Sequence, residues 1–176
     1  MDFQNSRTYL NLQAALENEL ETDALYGLYR KQSDNEVFLE ISIVFETLSR
    51  NAQFIAERLR RVLNDGDTNT FQNLMDAANR EAYVANNLYS DFSVIATEEG
   101  YNDLASLFNG IANIKLNHYS TLQTLVENME SNRLFCKEEE KLWICIGCGN
   151  ILSGICAPEI CPICGYPQGY YQVYGC

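Results

Sequence analysis

The sequence is poor in basic residues, with 12 Lys and Arg against 24 Asp and Glu and a formal net charge of -12. This balance argues against nucleic acid and anionic membranes as partners and favours solubility or basic partners. No stretch approaches the ~20 apolar residues of a membrane span, and the polar residues 1–7 lack a signal-peptide core. We therefore expect a cytoplasmic protein that binds neither nucleic acid nor membrane.

Proline is also scarce: there are three in 176 residues, and none precedes Pro158. Apolar residues instead recur at helical spacing through the first three quarters of the chain, which predicts long amphipathic helices. The capping sequence Ser33-Asp34-Asn35-Glu36 predicts the start of the second helix. The expected helices run from 6 to 31, from about 36 to 62, from 68–70 to 99, and from just after Gly100 through an apolar stripe at 104–125. A chain of this length fits one medium domain of helices and one small domain that needs a metal to fold.

Seven cysteines stand out against this background, and four of them form a pattern. Cys145-Ile-Gly-Cys148 is followed, after twelve residues, by Cys161-Pro-Ile-Cys164. Two such turns on facing hairpins complete a tetrahedral Cys₄ shell, which zinc and rubredoxin-type iron both accept. A glycine follows each pair, Gly149 and Gly165, and suits a tight turn with positive φ. The spacing therefore predicts a four-thiolate metal site, with two redox dithiols or a disulfide pair as the alternative.

The aromatic and aliphatic residues around these cysteines favour iron over zinc, because an electron-transfer iron needs an apolar shell that controls solvent access. Zinc in its place stays open. The remaining cysteines, Cys136, Cys156 and Cys176, are odd in number, which predicts reduced thiols rather than a disulfide framework. Their role is not indicated by the sequence.

Polar residues interrupt the apolar stripes near the middle of three helices: Glu19, Glu81, and Lys115 with His118. Taken singly, each glutamate fits a position at the flank of its stripe that reaches solvent. Together with a mid-helix lysine they predict one buried layer of compensating charges. His118, the chain's only histidine, fits a hydrogen-bonded core residue as well as a ligand.

These features together resemble the rubrerythrin family over nearly the whole chain. The resemblance rests on the helices with central glutamates, on Cys-x-x-Cys-Gly, on Ala157-Pro-Glu159, and on Cys-Pro-x-Cys-Gly. It implies a mainly α fold in which residues 1–135 form a ferritin-like four-helix bundle and residues 136–176 form a rubredoxin-like metal-binding domain of short β-hairpins. Family members are non-haem iron peroxidases of oxidative-stress defence, in which a di-iron carboxylate site in the bundle reduces hydrogen peroxide and the rubredoxin-like domain supplies electrons. Glu19, Tyr26, Glu81 and His118 match family positions at the di-iron site.

The chain departs from the family at four of the seven ligand positions. Asn51 and Phe54 replace the Glu-x-x-His of the second helix, Val84 replaces a glutamate, and Lys115 replaces another. Glu19, Glu81 and His118 cannot neutralise or coordinate two ferrous ions. We therefore expect no di-iron cluster, and we expect Lys115 to form a buried ion-pair layer with Glu19 and Glu81.

Three functions remain open at this point. The first is electron transfer through one FeCys₄ centre per chain, with a redox partner protein whose identity and potential the sequence does not indicate. The second is the family's peroxide reduction at an altered site formed by Glu19, Glu81 and His118. The third is a zinc-stabilised scaffold. No catalytic residue is assigned, and whether the chain is an enzyme is left open.

The short connection between the second and third helices predicts the assembly. Residues 64–69 reach at most ~20 Å, whereas a ferritin-type crossover must traverse a helix of roughly 45 Å. The two helices are then either antiparallel neighbours in one chain, or they pack with helices of a second copy. The resemblance to short-connection rubrerythrins favours the second, a domain-swapped homodimer.

Overall fold

The computed structural model describes residues 2–175, which divide into two compact units between Thr68 and Asn69. The first unit is an antiparallel hairpin of α1 (Arg7–Asn35) and α2 (Leu39–Leu63). Helix α1 begins after Ser6, whose Oγ accepts a hydrogen bond from the Tyr9 backbone N–H at 3.1 Å. Because this cap satisfies one of the free N–H groups of the first turn, it fixes where the helix starts.

The expected cap of the second helix, Ser33 to Glu36, is wrong. Helix α1 continues through Asn35, and the Ser33 hydroxyl donates to the Tyr29 carbonyl at 3.0 Å instead of capping. The chain reverses at Val37, which has a φ of 62°, and α2 begins at Leu39 with no side-chain cap. Ser33 and Asn35 therefore lie in the last turn of α1. The sequence pattern alone does not distinguish this position from the cap of the following helix.

Small residues make the buried seam of this hairpin: Ser33, Ser42, Ala52 and Ala56. Small side chains let the two helix axes approach, but they bury little apolar area. Several large aliphatic and aromatic residues of α2 are 40 to 63 % exposed in the single chain, among them Ile41, Val44, Leu48, Phe54 and Ile55. The hairpin thus has an apolar face in addition to the face that closes it.

The second unit starts with a nearly continuous helix composed of α3 (Thr70–Tyr83), a π-helical segment (Val84–Tyr89) and α4 (Ser90–Glu98). It packs antiparallel on α5 (Asn102–Glu130), with Gly100 at a φ of 85° in the turn between them. Small residues again make most of the seam, whereas Phe92, Ile95, Leu104 and Leu107 are between 39 and 54 % exposed. Among the residues described, no helix is both long and apolar enough to cross a membrane.

A small antiparallel sheet follows α5, with strand order β2-β1-β3 within residues 2–175. Its strands are β1 (Cys136–Cys145), β2 (Ile151–Cys156) and β3 (Tyr171–Val173). The charged residues 136–141 are therefore part of strand β1. Trp143, 1 % exposed, is at the centre of the sheet's core, and its indole N–H donates to the Gly154 carbonyl at 3.0 Å. The predicted class, mainly α with a rubredoxin-like domain of short hairpins, is confirmed.

The expectation of reduced thiols at Cys136 and Cys156 is wrong. The two residues are paired in the register of β1 and β2, and their sulfurs form a disulfide. Antiparallel pairing brings the two Cβ atoms close enough for a bond that the count of cysteines alone did not indicate. Cys176 lies outside the described residues.

Candidate metal centre

Two similar turns present the four predicted cysteines. In each turn the glycine N–H donates to the carbonyl of the first cysteine: Gly149 to Cys145 at 2.7 Å and Gly165 to Cys161 at 2.9 Å. Both glycines have positive φ, 77° and 71°, as the sequence predicts. The N–H of the first cysteine is also bonded, to the carbonyl five residues further along, so that each turn is closed by two backbone hydrogen bonds.

The four sulfurs have the geometry of a tetrahedral site. All four lie within 4.8 Å of one another, with Cys145 Sγ 3.7 Å from Cys164 Sγ and Cys148 Sγ 3.6 Å from Cys161 Sγ. A tetrahedron with metal–sulfur bonds of ~2.3 Å has edges of about 3.8 Å. The donor set therefore fits a single tetrahedral ion held by four thiolates.

Burial divides the ligands into an inner and an outer pair. Cys145 and Cys161 are 0 and 1 % exposed, whereas Cys148 is exposed and Cys164 is half-buried. The inner pair belongs to a buried cluster with Trp143, Ala157 and Tyr171. One side of the site is consequently dry, and the other side faces solvent.

Two stacked tyrosines cover part of the outer side. The rings of Tyr166 and Tyr170 are 4.3 Å apart and nearly parallel. Gly147 lies between the first two cysteines in the sequence. A Cβ added there would lie 2.4 Å from the Tyr166 ring, so only glycine at this position leaves room for the stacked rings. The predicted aromatic shell thus includes a buried part, Trp143 and Tyr171, and a solvent-facing part, Tyr166 and Tyr170.

Two buried polar groups of the site were not singled out from the sequence. They are the Tyr171 hydroxyl and the Asn150 side-chain nitrogen, and neither has a hydrogen-bond partner of ordinary geometry among residues 2–175. Interaction with the Tyr171 hydroxyl, followed in size by the Cys164 backbone, lowers the pKa of Cys161 to about 6. The same contact with the Cys161 sulfur raises the pKa of Tyr171 to about 12. The available sequence signal was a tyrosine at a position that strand alternation buries.

The helices of the second unit bring together three of the predicted bundle residues. Lys115 Nζ lies 3.0 Å from Glu81 Oε1, and His118 Nδ1 lies 3.2 Å from Glu81 Oε2. Burial raises the pKa of Glu81, but the hydrogen bonds from Lys115 and His118 outweigh it and hold the pKa below its usual value. Both carboxylate oxygens of Glu81 are therefore engaged by side chains of α5. The lysine ammonium places a positive charge next to this carboxylate.

Val84, the substituted ligand position on this helix, opens the π-helical segment and is half-buried. π-helical segments are rare in proteins, and those that occur often lie at functional sites. The backbone is therefore irregular at this family ligand position, although the side chain there is aliphatic.

The other predicted positions belong to the first unit. Glu19 and Tyr26 are half-buried on α1, and Tyr26 packs against Phe45 with ring centroids 5.8 Å apart. Asn51 and Phe54 are exposed on α2, Phe54 by 63 %. That Glu19 joins Lys115 and Glu81 in one layer stays a prediction.

Replacing Lys115 with methionine should reduce the free energy of unfolding by about 1 to 3 kcal/mol, because Glu81 loses a charged hydrogen-bond donor. The pair stabilises the fold at pH values above the usual pKa of a glutamate, and this stabilisation is lost as the pH falls through the lowered pKa of Glu81. We therefore also expect a weaker acid dependence in Lys115→Met. Urea denaturation followed by circular dichroism between pH 3 and 7 measures both effects.

The matched control is Lys31→Met, an exposed lysine of α1. Equal stability of Lys115→Met and Lys31→Met at neutral pH would contradict a stabilising role for the ion pair.

Comparison with known proteins agrees with this site. Residues 143–172 match the family model for the rubrerythrin, rubredoxin-like domain. The chain is similar to Rubrerythrin-1 of Clostridium acetobutylicum, with 31 % identity over 96 % of this chain and 94 % of the relative. It is also similar to rubrerythrin of Nitratidesulfovibrio vulgaris, with 29 % identity over 97 and 95 % of the two chains. A solved structure of partially reduced nigerythrin is 22 % identical, covers 96 % of this chain and 87 % of its own, and has a TM-score of 0.37.

Proposed function

The chain belongs to the rubrerythrin family, and on that premise we propose that it is an electron-transfer protein whose redox centre is one iron per chain. The proposed ligands are Cys145, Cys148, Cys161 and Cys164. The observation that carries the proposal is a contrast between two sites: the four sulfurs form a complete tetrahedral set, whereas Glu81 is already paired with Lys115.

Iron in four thiolates takes up and releases one electron at a time. The chain's own residues provide the conditions for that exchange. Trp143 and Tyr171 exclude water from the inner cysteines, and the closed turns keep the ligand positions rigid. The exposed sulfur of Cys148 gives a partner close access, since it is at the protein surface.

The surface around the outer cysteines supports contact with two protein partners, one that donates the electron and one that accepts it. Ile146 and Ile163, each within one Cys-x-x-Cys turn, are 61 and 70 % exposed. Exposed aliphatic residues next to a redox centre suit a brief apolar contact with a reductase or an acceptor. The net charge of -12 favours partners with a basic docking face.

We propose further that the working form is a domain-swapped homodimer in the cytoplasm. Both helical hairpins close on small residues and leave large apolar residues exposed in the single chain, an arrangement that a second copy would complete. The connection between α2 and α3 spans residues 64–69, too few for a crossover along a helix. In such a dimer Glu19 of one copy would lie near Glu81 and Lys115 of the other, which would complete the predicted charge layer.

Metal analysis combined with electron transfer tests the proposed function. We expect about one iron and little zinc per chain, a red oxidised protein that bleaches with dithionite, and one-electron reduction of ferric cytochrome c, a basic haem protein. Zinc as the metal in protein from its native host would favour the scaffold function instead. About three irons per chain would contradict the loss of the di-iron site.

Peroxide reduction is the second candidate, favoured by one observation. Glu81 and His118, both family ligand positions, are in contact at 3.2 Å and could serve an altered site. Under the electron-transfer proposal, hydrogen peroxide should oxidise the reduced wild-type protein no faster than it oxidises reduced Glu81→Ala. A rate that falls in Glu81→Ala while the iron content stays at one per chain would move peroxide reduction to first place.

A further inference from the structure

The inner side of the metal centre contains two polar side-chain atoms in an otherwise apolar environment. Tyr171 is 4 % exposed and belongs to the same buried cluster as Cys145 and Cys161. Its hydroxyl, like the Asn150 Nδ2, is buried without a hydrogen-bond partner of ordinary geometry among residues 2–175. A buried donor without an acceptor is destabilising, so two such donors at one site require an explanation.

The backbone places both residues against the ligands. Strand β3 pairs Tyr171 directly with Cys145 of β1. The Asn150 carbonyl accepts the Cys145 N–H at 2.9 Å, which fixes Asn150 at the end of the first turn. These strand and turn hydrogen bonds fix the backbone of both residues beside the ligands.

A metal-bound thiolate is the acceptor that the Tyr171 hydroxyl lacks, and the Tyr171 oxygen can in turn accept from the Asn150 amide. Four thiolates around one ferric ion carry a net charge of -1, and around a ferrous ion -2, so that the sulfurs are the strongest acceptors in the domain once metal is bound. The backbone N–H groups of the turns already serve some of them, including Cys161 through Cys164 and Ile163. The interactions that shift the pKa values run from the Asn150 amide to the Tyr171 oxygen and from the Tyr171 hydroxyl to the Cys161 sulfur.

We propose that Asn150 and Tyr171 form a hydrogen-bond relay to the metal site, in which the Asn150 amide donates to the Tyr171 oxygen and the Tyr171 hydroxyl donates to the Cys161 thiolate. The relay raises the reduction potential of the FeCys₄ centre, because a donor to sulfur stabilises the more negative, reduced state more than the oxidised one. Tyr171 acts on the ligand directly, and Asn150 is a positioning residue that acts through it. This inference rests on the proposed iron centre.

The test is the reduction potential of iron-loaded Tyr171→Phe, measured by spectroelectrochemistry on the full chain. The substitution removes only the hydroxyl and keeps the ring that fills the core. We expect the ratio of reduced to oxidised protein at a fixed applied potential to fall about tenfold, which is 59 mV for a one-electron couple. We also expect a shift of the sulfur-to-iron charge-transfer bands, since Cys161 becomes a more electron-rich ligand.

Tyr170→Phe is the matched control, because it is the same substitution at the next position, where the ring is 39 % exposed and stacks on Tyr166. Its potential should equal that of the wild type. Asn150→Leu should lower the potential in the same direction but by less. In the Tyr171→Phe background, Asn150→Leu should add nothing further, because its effect passes through the hydroxyl.

Each other outcome contradicts the relay or the iron centre separately. If Tyr171→Phe binds one iron and keeps the wild-type potential, the relay is wrong and the proposed function stands. If the isolated protein binds no iron, the proposed function fails, and the relay can still be examined with cobalt(II), whose charge-transfer bands should shift in Tyr171→Phe and not in Tyr170→Phe. Independent, additive effects of the two substitutions would show that Asn150 does not act through Tyr171.

Discussion

Replacing Cys161 with serine is expected to remove both the metal and the folded state of the small domain. Five residues make the buried cluster of this domain, and two of them, Cys145 and Cys161, are proposed ligands. So small a core cannot fold the segment by itself, and the metal must contribute on the order of 10 kcal/mol. Loss of one buried thiolate leaves three ligands and a poorly matched oxygen, which we expect to abolish tight binding.

Trp143 makes this result easy to measure, because it is the chain's only tryptophan and is 1 % exposed in the core of the small domain. Its fluorescence should shift to the red in Cys161→Ser, and in the wild type after prolonged chelation. The helical circular dichroism should change little, since the four long helices lie before residue 131. Ile163→Ala, at an exposed position between two ligands, is the control. A buried tryptophan in metal-free Cys161→Ser would contradict the dependence of this fold on its metal.

Replacing Ile55 with lysine is expected to convert the proposed dimer into a monomer with a mass of 20.0 kDa. Ile55 is 49 % exposed in the single chain and belongs to the apolar face of α2. In a symmetric dimer the change occurs twice, and each copy loses an apolar contact of about 2 kcal/mol and places an ammonium where it has no partner. Dimer affinity should fall at least ~10³-fold, roughly 4 kcal/mol.

Light scattering coupled to size exclusion, repeated over a range of concentrations, measures this change. Glu57→Gln is the control, because it alters the net charge by the same amount at an exposed polar position of α2. A wild type that stays monomeric at every concentration would contradict the dimer. A dimer unaffected by Ile55→Lys would place the interface on another face.

The metal site was predictable because its information is local. Two Cys-x-x-Cys-Gly segments specify the turns, the sign of φ at Gly149 and Gly165, and four converging sulfurs without knowledge of the rest of the chain. The contact of Lys115 with Glu81 was predictable for a related reason. A cation and an anion that both interrupt apolar stripes of neighbouring helices stabilise each other, and the structure places their atoms 3.0 Å apart.

What could not be predicted depends on how strands and turns meet. The run from Cys136 to Lys141 is too charged to show strand alternation, and it becomes a strand by pairing with β2 and with the aid of the disulfide. The pairing of Cys136 with Cys156 follows from the register of a hairpin, which counting cysteines does not reveal. The end of α1 was misplaced because Ser33 and Asp34, which are typical capping residues, lie inside the helix. There the Ser33 hydroxyl donates to the Tyr29 carbonyl, and the Asp34 carboxylate accepts from the Ser42 hydroxyl. The buried hydroxyl of Tyr171 was hidden because its ring suits an apolar shell equally well.

The cross-strand disulfide gives the small domain two kinds of crosslink that overlap along the chain. The bond from Cys136 to Cys156 closes a ring that contains Cys145 and Cys148, while Cys161 and Cys164 lie beyond it. Stripping the metal therefore leaves half of the ligand set inside a covalent ring, and the other half begins five residues after its closure. Because this tether keeps the local concentration of the second thiol pair high, recapture of an ion should be less sensitive to dilution than in an open chain. Thiol reductants and chelators thus act on the same short segment through different bonds, and only their combined action releases it completely.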